Sequence, residues 1–394
     1  MDLHHILALN SGSSSLKFAL YTFHGAAEQL LASGEAENIA AQSARFWLRD
    51  GNSSSVLDQA RAIPDHATAM KIAVEELMAA KFPAPDAIGH RVVMGGSHSA
   101  PERVTPELLS ELLALIPLAP LHLPAEIKIM QAVAAHAPTI PQVACFDTAF
   151  HHSLPELAQR FPLPRKFFDQ GVRRYGFHGL SYEYVLQQLG PAAKGKRLII
   201  AHLGNGASLA AIKDGLPVDT SMGLTPTGGI MMGTRTGDLD PGVLIYLVRE
   251  NRYDASTLEH LLDQESGLLG VSGTTSDMKM LLTRRAYDPH AAQAVAMFCR
   301  SVAKEIGAFA AVLGGLDMLV FTGGIGERAR AVREEVCRDL NHLGVKIDPA
   351  RNDSSEEVIS ARQSACSVRV IATNEELMIA RHTRDMLDRR MGAG

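Results

Sequence analysis

Two turns rich in glycine, serine and asparagine, each set between short apolar runs, lie about half a chain apart in the 394 residues. The first reads Ile6-Leu-Ala-Leu-Asn-Ser-Gly-Ser-Ser-Ser-Leu-Lys-Phe-Ala-Leu20, and the second Leu198-Ile-Ile-Ala-His-Leu-Gly-Asn-Gly-Ala-Ser-Leu-Ala-Ala-Ile212. Each pattern predicts strand, tight polar turn, strand. Such turns offer backbone N–H groups and small hydroxyls to an anion with no bulky side chain in the way. Two of them at matched depth suggest a duplicated fold that holds a polyphosphate between its lobes. The chain is also too long for one ordinary core, so two domains are expected.

Around the turns the patterning alternates between strand and helix. Residues 6–9 and 16–23 read as the first hairpin, followed by a polar stretch to about residue 65. Ala67 to Ala80 has helical spacing, and Thr105 to Leu115 is a helix with Thr105 as cap and Pro106 at its first position. Ile116 to Pro124 holds three prolines and predicts an extended loop, with a helix resuming from Ala125 to Ala135. Ala87 to Gly96 and Met318 to Gly324 are buried-type strands that each end in a Gly pair, and Gln142 to Phe146 is a strand ending at Asp147. Helical patterns cover 241–250 and 289–313. Val368 to Ala372 reads as a strand, and Asn374 to Leu387 as a helix, with Thr373 and Glu376 at capping-box spacing. The fold class expected is α/β with mixed sheets.

Several function classes are disfavoured. Net charge is −5, with no basic cluster to follow a nucleic-acid backbone. No stretch approaches the roughly 18 to 20 apolar residues of a membrane span, and no basic segment precedes an apolar run near Met1, so neither membrane nor export is expected. Cys145, Cys299, Cys337 and Cys366 form no Cys-x-x-Cys pair and read as thiols of a cytoplasmic protein. The histidines show no zinc spacing, and Walker A and Gly-x-Ser-x-Gly motifs are absent.

Other residues point to phosphate chemistry. Lys17 follows the first turn, where a cation can meet a phosphate. Arg235 stands in a glycine-rich segment, Gly223 to Gly242, whose small residues clear space for a two-pronged guanidinium to reach an oxyanion. Arg91 sits in an apolar strand, where an arginine needs a partner. Asp147 ends a strand, at the crevice side of open α/β sheets or as a local cap. His178 lies between Phe177 and Gly179, and Glu375 in the first turn of a helix.

Together these motifs resemble the acetate kinase (acetokinase) family, within the acetate and sugar kinase/actin-like superfamily. The matching stretches are Asn10 to Lys17, Gly89 to Val93, Pro117 to His122, Phe146 to His151, Arg174 to Ser181, His202 to Gly206, Met232 to Asp238, Gly323 to Glu327 and Thr373 to Glu376, in the family's order. The resemblance implies two duplicated ribonuclease H-like (actin-like ATPase) domains with a central cleft. The N-terminal, acyl-side domain would comprise 1–149 plus a C-terminal helix 376–394, and the nucleotide-side domain 150–375. It implies reversible phosphoryl transfer from ATP to acetate, giving acetyl phosphate and ADP, with Mg²⁺ (Mn²⁺ as the alternative ion), in a cytoplasmic homodimer.

Residue by residue, the resemblance places the metal at Asn10 and Glu375 and the nucleotide phosphates at Lys17. Arg91 would grip the acetate carboxylate, with Val93, Leu121, Phe177 and Pro226 around its methyl group. His178 and Arg235 would stabilise the transferring phosphoryl. The nucleotide would be lined by His202, Leu203, Gly204, Asn205, Gly206, Asp277, Met278, Lys279, Gly324, Ile325, Gly326, Glu327 and Arg328. The family assigns Asp147 as catalytic acid/base. Acetate, with a carboxylic pKa of roughly 4 to 5, is already ionised at pH 7, so orienting the metal or its water fits Asp147 better. Departures from the family pattern at Met94, Leu123 and Thr227 to Gly229 leave acetate versus propionate open, and those at Lys279 and Arg328 leave nucleotide preference open. A sugar kinase and a non-catalytic nucleotide-binding module are the competing readings. The small apolar pocket argues against the first, and the presence of Arg91, His178 and Arg235 against the second.

Overall fold

The computed structural model describes residues 3–25, 27–41 and 43–391. The chain divides into two compact units, one comprising Met1–His152, Gly179–Ser181 and Asn374–Gly394, the other Ser153–His178 and Tyr182–Thr373. Of the domain expected to span 1–149 and 376–394, residues 1, 2, 26, 42 and 392–394 lie outside the described residues.

The first unit is built on eight strands: β1 (Leu3–Ser11), β2 (Leu16–His24), β3 (Ala27–Glu37), β4 (Ala44–Asp50), β5 (Ser55–Arg61), β6 (Ala87–Val92), β7 (Glu102–Arg103) and β8 (Gln142–Phe146). Their order is β5-β4-β3-β2-β1-β6-β8-β7. The second unit holds β9 (Arg197–Leu203), β10 (Ala207–Lys213), β11 (Leu216–Thr220), β12 (Met318–Thr322) and β13 (Ser367–Val370), in the order β11-β10-β9-β12-β13.

The run β3-β2-β1-β6-β8 matches this second sheet strand for strand. In both, a three-stranded antiparallel meander is continued by two strands parallel to its first strand. This is the duplication that the paired turns suggest, in the ribonuclease H-like arrangement that the resemblance implies. β1 and β9 hold corresponding central places and are covered on both faces, with Ile6 to Leu9 and Leu198 to Ala201 all at 2 % exposure or less. That two-sided burial is why they read as unbroken apolar runs.

The polar stretch before residue 65 carries β3 to β5. In β4, Ala44, Phe46 and Leu48 face the core and alternate with Arg45, Trp47 and Arg49 on the wetter side, the two-residue period of a half-buried strand. The segment expected as an extended loop holds a 3₁₀ turn at Ile116–Leu118, and the next helix already starts at Leu123 (Leu123–His136). Pro124 fits in its first turn because no intrahelical bond needs that N–H. Helices His66–Ala79 and Pro106–Ala114 form where the spacing predicts them, capped by Asp65 and Thr105. The glycine pair after β12 opens the helix Gly323–Arg328 directly. Gly323 has φ +75°, and a Cβ there would press on the Leu203 carbonyl oxygen at 2.8 Å, so this junction requires glycine.

The helix Glu375–Met391 packs on β1, β2, β6 and β8 of the first unit. It comes so close to β6 that a Cβ on Gly89 would collide with Ile379 and Thr383. The capping box expected from Thr373 and Glu376 does not form. Asn374 caps the helix instead, its Oδ1 accepting the Leu377 N–H at 2.9 Å. The Thr373 N–H goes to Glu327 Oε1, and the Glu376 carboxylate accepts from Asn10. The four cysteines are buried and form no disulfide. Among the described residues no helix is long and apolar enough to cross a membrane.

Candidate active site

In the first unit the ends of β1, β6 and β8 bring Asn10, Arg91 and Asp147 together, as parallel strands do at their carboxyl ends. Arg91 Nε and Nη2 donate to Asp147 Oδ2 at 2.9 and 2.6 Å, and Nη1 donates to Asn10 Oδ1 at 3.2 Å. Glu375 Oε2 lies 3.9 Å from Arg91 Nε. Asp147 is fully buried and the Arg91 side chain nearly so. Burial opposes the charge on Arg91, but Asp147 and Glu375 outweigh it and hold the guanidinium above the ordinary arginine range. These bonds use three of the five guanidinium N–H groups. The other two have no acceptor among the described residues.

Asn10 also donates from Nδ2 to Glu375 Oε2 at 3.0 Å and to Glu376 Oε1 at 2.9 Å. Lys17 pairs with Asn10 in the β1–β2 register, so the two side chains share a face, and Lys17 is exposed. Val93 follows β6 and is buried, while Leu121 is half-buried. The Val93 N–H is bound by Glu126 Oε2 at 3.1 Å, a carboxyl that sequence reasoning missed.

In the second unit His178 occupies the left-handed region at φ 61°, an uncommon conformation for a non-glycine residue. Strain of this kind persists where the surroundings over-determine it, and here the ring is held on two sides. Its Nδ1 meets the Ser208 hydroxyl at 2.8 Å, and it stacks on His202 with centroids 4.3 Å apart. Tyr182 Oη bonds the same Ser208 hydroxyl at 2.5 Å. Ser208 and Tyr182 carried no motif signal. Arg235 Nη1 donates to the Pro226 carbonyl at 3.2 Å. A Cβ built on Gly206 would lie 3.4 Å from both Arg235 Nη1 and His178 Nε2. The second turn, His178 and Arg235 therefore converge at one point, and the bare glycine keeps that point open. Phe177, next to His178 in sequence, and Pro226, whose carbonyl accepts from Arg235, are both buried.

The nucleotide candidates divide into two groups. Gly204, Asn205, Asp277, Met278, Lys279, Gly324, Ile325 and Arg328 line one cavity of about 1030 Å³. Lys279, Arg328 and Arg330 on its wall give it a cationic character suited to phosphates. His202, Leu203, Gly206, Gly326 and Glu327 are not on that wall. Asp277 caps the helix Met278–Arg284 through the Met280 N–H, and Glu327 Oε1 ties the Gly323 N–H at 3.0 Å. Arg333, on the helix Arg330–Arg338, is completely buried. It donates to the carbonyls of Gly326 and Glu327 at 2.8 Å each, to Asn352 Oδ1 and O at 2.8 and 2.9 Å, and to Ser355 Oγ at 3.0 Å. Sequence reasoning missed it, because an arginine in a charged helix reads as solvent-facing.

The family profile described as "Acetokinase family" matches residues 5–381. The chain belongs to the acetokinase family. This acetokinase is 46% identical to the acetate kinase of Methylocella silvestris, over 98% of this chain and 99% of that protein. A crystal structure of Porphyromonas gingivalis acetate kinase superposes with a TM-score of 0.85 at 39% identity, covering 98% of this chain and 100% of the other. A propionate kinase from Francisella tularensis superposes at 0.90 with 37% identity, covering 97% and 99%.

Proposed function

We propose that this acetokinase catalyses reversible phosphoryl transfer from ATP to acetate, producing acetyl phosphate and ADP. The observation that carries the reading is Arg91, a largely buried, charged guanidinium with two N–H groups left over beside the buried Val93. Two parallel N–H donors suit a carboxylate, and the apolar neighbour suits a methyl group. Acetate is ionised at neutral pH, so its oxygen attacks the γ-phosphorus without a base while the bond to the β-phosphate oxygen breaks. Such a transfer needs positioning and charge neutralisation. Arg91 orients the carboxylate, with Val93 and Leu121 of the same unit toward the methyl group, for which the family resemblance also implies Phe177 and Pro226. Arg235 and His178 neutralise the transferring group, and Lys17 meets the phosphates. The cationic cavity takes the nucleotide, which makes the first unit the acyl side and the second the nucleotide side. Asp147, bound to two nitrogens of Arg91, positions that guanidinium rather than moving a proton.

Among the described residues no group of three or more His, Cys, Asp and Glu side chains stands ready for a metal. The carboxylate of Glu375 and the amide of Asn10, with Glu376 adjoining, are oxygen donors that fit Mg²⁺ or Mn²⁺, ions that keep several waters and share phosphate ligands. Bound there, the ion would neutralise phosphate charge.

Helix Pro241–Glu250 has no buried residue, yet presents Val243, Ile245, Tyr246 and Val248 at 41, 51, 61 and 46 % exposure. An apolar helix face of this kind supports a homodimer. Four cysteines without a disulfide fit a reducing cytoplasm. A hydroxamate-trapping assay with acetate, propionate and butyrate tests the function. Acetyl hydroxamate is expected from the wild type and is lost in Arg91→Ala and Arg235→Ala, and full activity in either variant overturns the site. Propionate is the second reading, favoured by the likeness to the Francisella enzyme. One methylene shifts discrimination by only about 1 to 3 kcal/mol, so the ratio of kcat/KM values decides between them.

A further inference from the structure

Glu126 lies on the helix Leu123–His136 with 2 % exposure. Its Oε2 accepts the Val93 N–H, and its Oε1 has no hydrogen-bond partner among the described residues. The charged groups that act on it are Arg91 from β6 and Asp147 from the end of β8. His122 stands one turn earlier on its own helix, its carbonyl accepting the Glu126 N–H at 3.2 Å. The neighbouring helices His66–Ala79 and Pro106–Ala114 contribute no charge to it among the described residues. Burial pushes its carboxyl up to about 8, opposed by Arg91 and the Val93 N–H and assisted by Asp147. At pH 7 the group is therefore mostly a neutral acid. Its carbonyl oxygen faces Val93, and its hydroxyl is on Oε1.

The charge count around Arg91 gives this state a purpose. One guanidinium already faces two carboxylates, Asp147 and Glu375. A third would add repulsion where an anionic substrate has to bind.

We propose that Glu126 is a positioning residue of the carboxylate site, an inference that rests on Arg91 being the substrate's partner. Its carboxyl group anchors the Val93 backbone beside the acyl pocket and, kept uncharged, leaves Arg91 available to an anionic substrate. Ionising Glu126 then weakens acetate binding without touching the nucleotide cavity.

The test is the pH dependence of KM for acetate, with kcat and KM for ATP followed in parallel. For the wild type, KM for acetate rises about tenfold between pH 7 and pH 9, as a single ionisation near 8 requires, while KM for ATP does not follow it. Glu126→Gln keeps an acceptor for Val93 and cannot ionise. Its KM for acetate stays within about twofold over the same range. Glu126→Leu serves the same comparison should the glutamine variant not fold. It loses the Val93 anchor and shows a raised KM at every pH without the climb. Parallel profiles in wild type and variant, or a flat wild-type profile, overturn the proposal. Those outcomes, with acetyl hydroxamate still formed and still lost in Arg91→Ala, sink Glu126 alone. No acetyl hydroxamate from the wild type sinks the carboxylate-kinase reading itself.

Discussion

Arg333 has no solvent exposure and no carboxylate partner among its hydrogen bonds, which all end on carbonyl, amide and hydroxyl oxygens. Its five donors meet five acceptors, and two of these are carbonyls in the last turn of the helix Gly323–Arg328, whose residues Gly324, Ile325 and Arg328 line the cationic cavity proposed for the nucleotide. Replacing it with methionine keeps most of the volume and removes every donor. A buried acceptor left unpaired costs about 1 to 3 kcal/mol. Relief of a buried charge and entry of water offset part of the total. A net loss of about 3 to 5 kcal/mol is therefore expected for Arg333→Met. For a domain of this size that lowers Tm by roughly 6 to 20 °C. The helix Gly323–Arg328 also loses the clamp on its C-terminal end, so KM for ATP should rise about tenfold or more, a shift of at least about 1.4 kcal/mol. KM for acetate should change little, because Arg333 touches no residue of the Arg91 cluster. Arg333→Lys, with three donors on one nitrogen, should fall between the two. The measurements are calorimetric unfolding, and ADP formation at saturating acetate well below the variant's Tm. A methionine variant with Tm within about 2 °C and KM for ATP within about twofold of wild type refutes the clamp.

Asp147→Asn leaves Arg91 charged and buried with one carboxylate fewer. The expected result is a fall in kcat of about tenfold or more, with the pH profile between 6 and 8 keeping its wild-type shape. A wild-type titration in that range that vanishes in the variant would restore the acid/base role. Tyr246→Glu combined with Ile245→Glu should shift the protein from dimer to monomer in sedimentation velocity, and a monomeric wild type would remove the basis for a homodimer.

The parts of the fold legible in the sequence are those where local chemistry and burial agree. The hairpins around Gly12 and Gly206 are readable because central strands covered on both faces leave continuous apolar runs. Helices Pro241–Glu250 and Pro289–Leu313 begin at Asp-Pro pairs, whose aspartates cap them. β3 to β5 were hidden because one side of that sheet extension is wet, and charged residues such as Arg45 and Asp58 pair across it. The misread capping box has a long-range cause, since Glu376 is drawn to Asn10 at a separation of 366 residues. The same holds for the site. Small residues around Arg235 and the glycines of the two turns mark the proposed anion site locally. Glu126 and Arg333 do not, because nothing near them in sequence tells a buried, fully employed charge from a solvated one. Asn352, which accepts two of the Arg333 bonds, is a residue of no evident motif.

The helix Glu375–Met391 covers the first sheet, yet it follows the whole of the second unit along the chain. During synthesis the strands β1, β2, β6 and β8 emerge early and wait, with one face bare, until some two hundred further residues have been made. The second unit, nearly continuous in sequence, has all its strands before that helix appears. Glu375 arrives with the same helix, so Arg91, the proposed partner of the carboxylate substrate, is without one of its two counter-charges throughout that interval. A ribosome that stalls or a protease that clips before residue 375 thus releases a chain whose later half can be whole while its earlier half is uncovered and inert. Such a product would present a sticky sheet face to chaperones and no half-active enzyme to the cell.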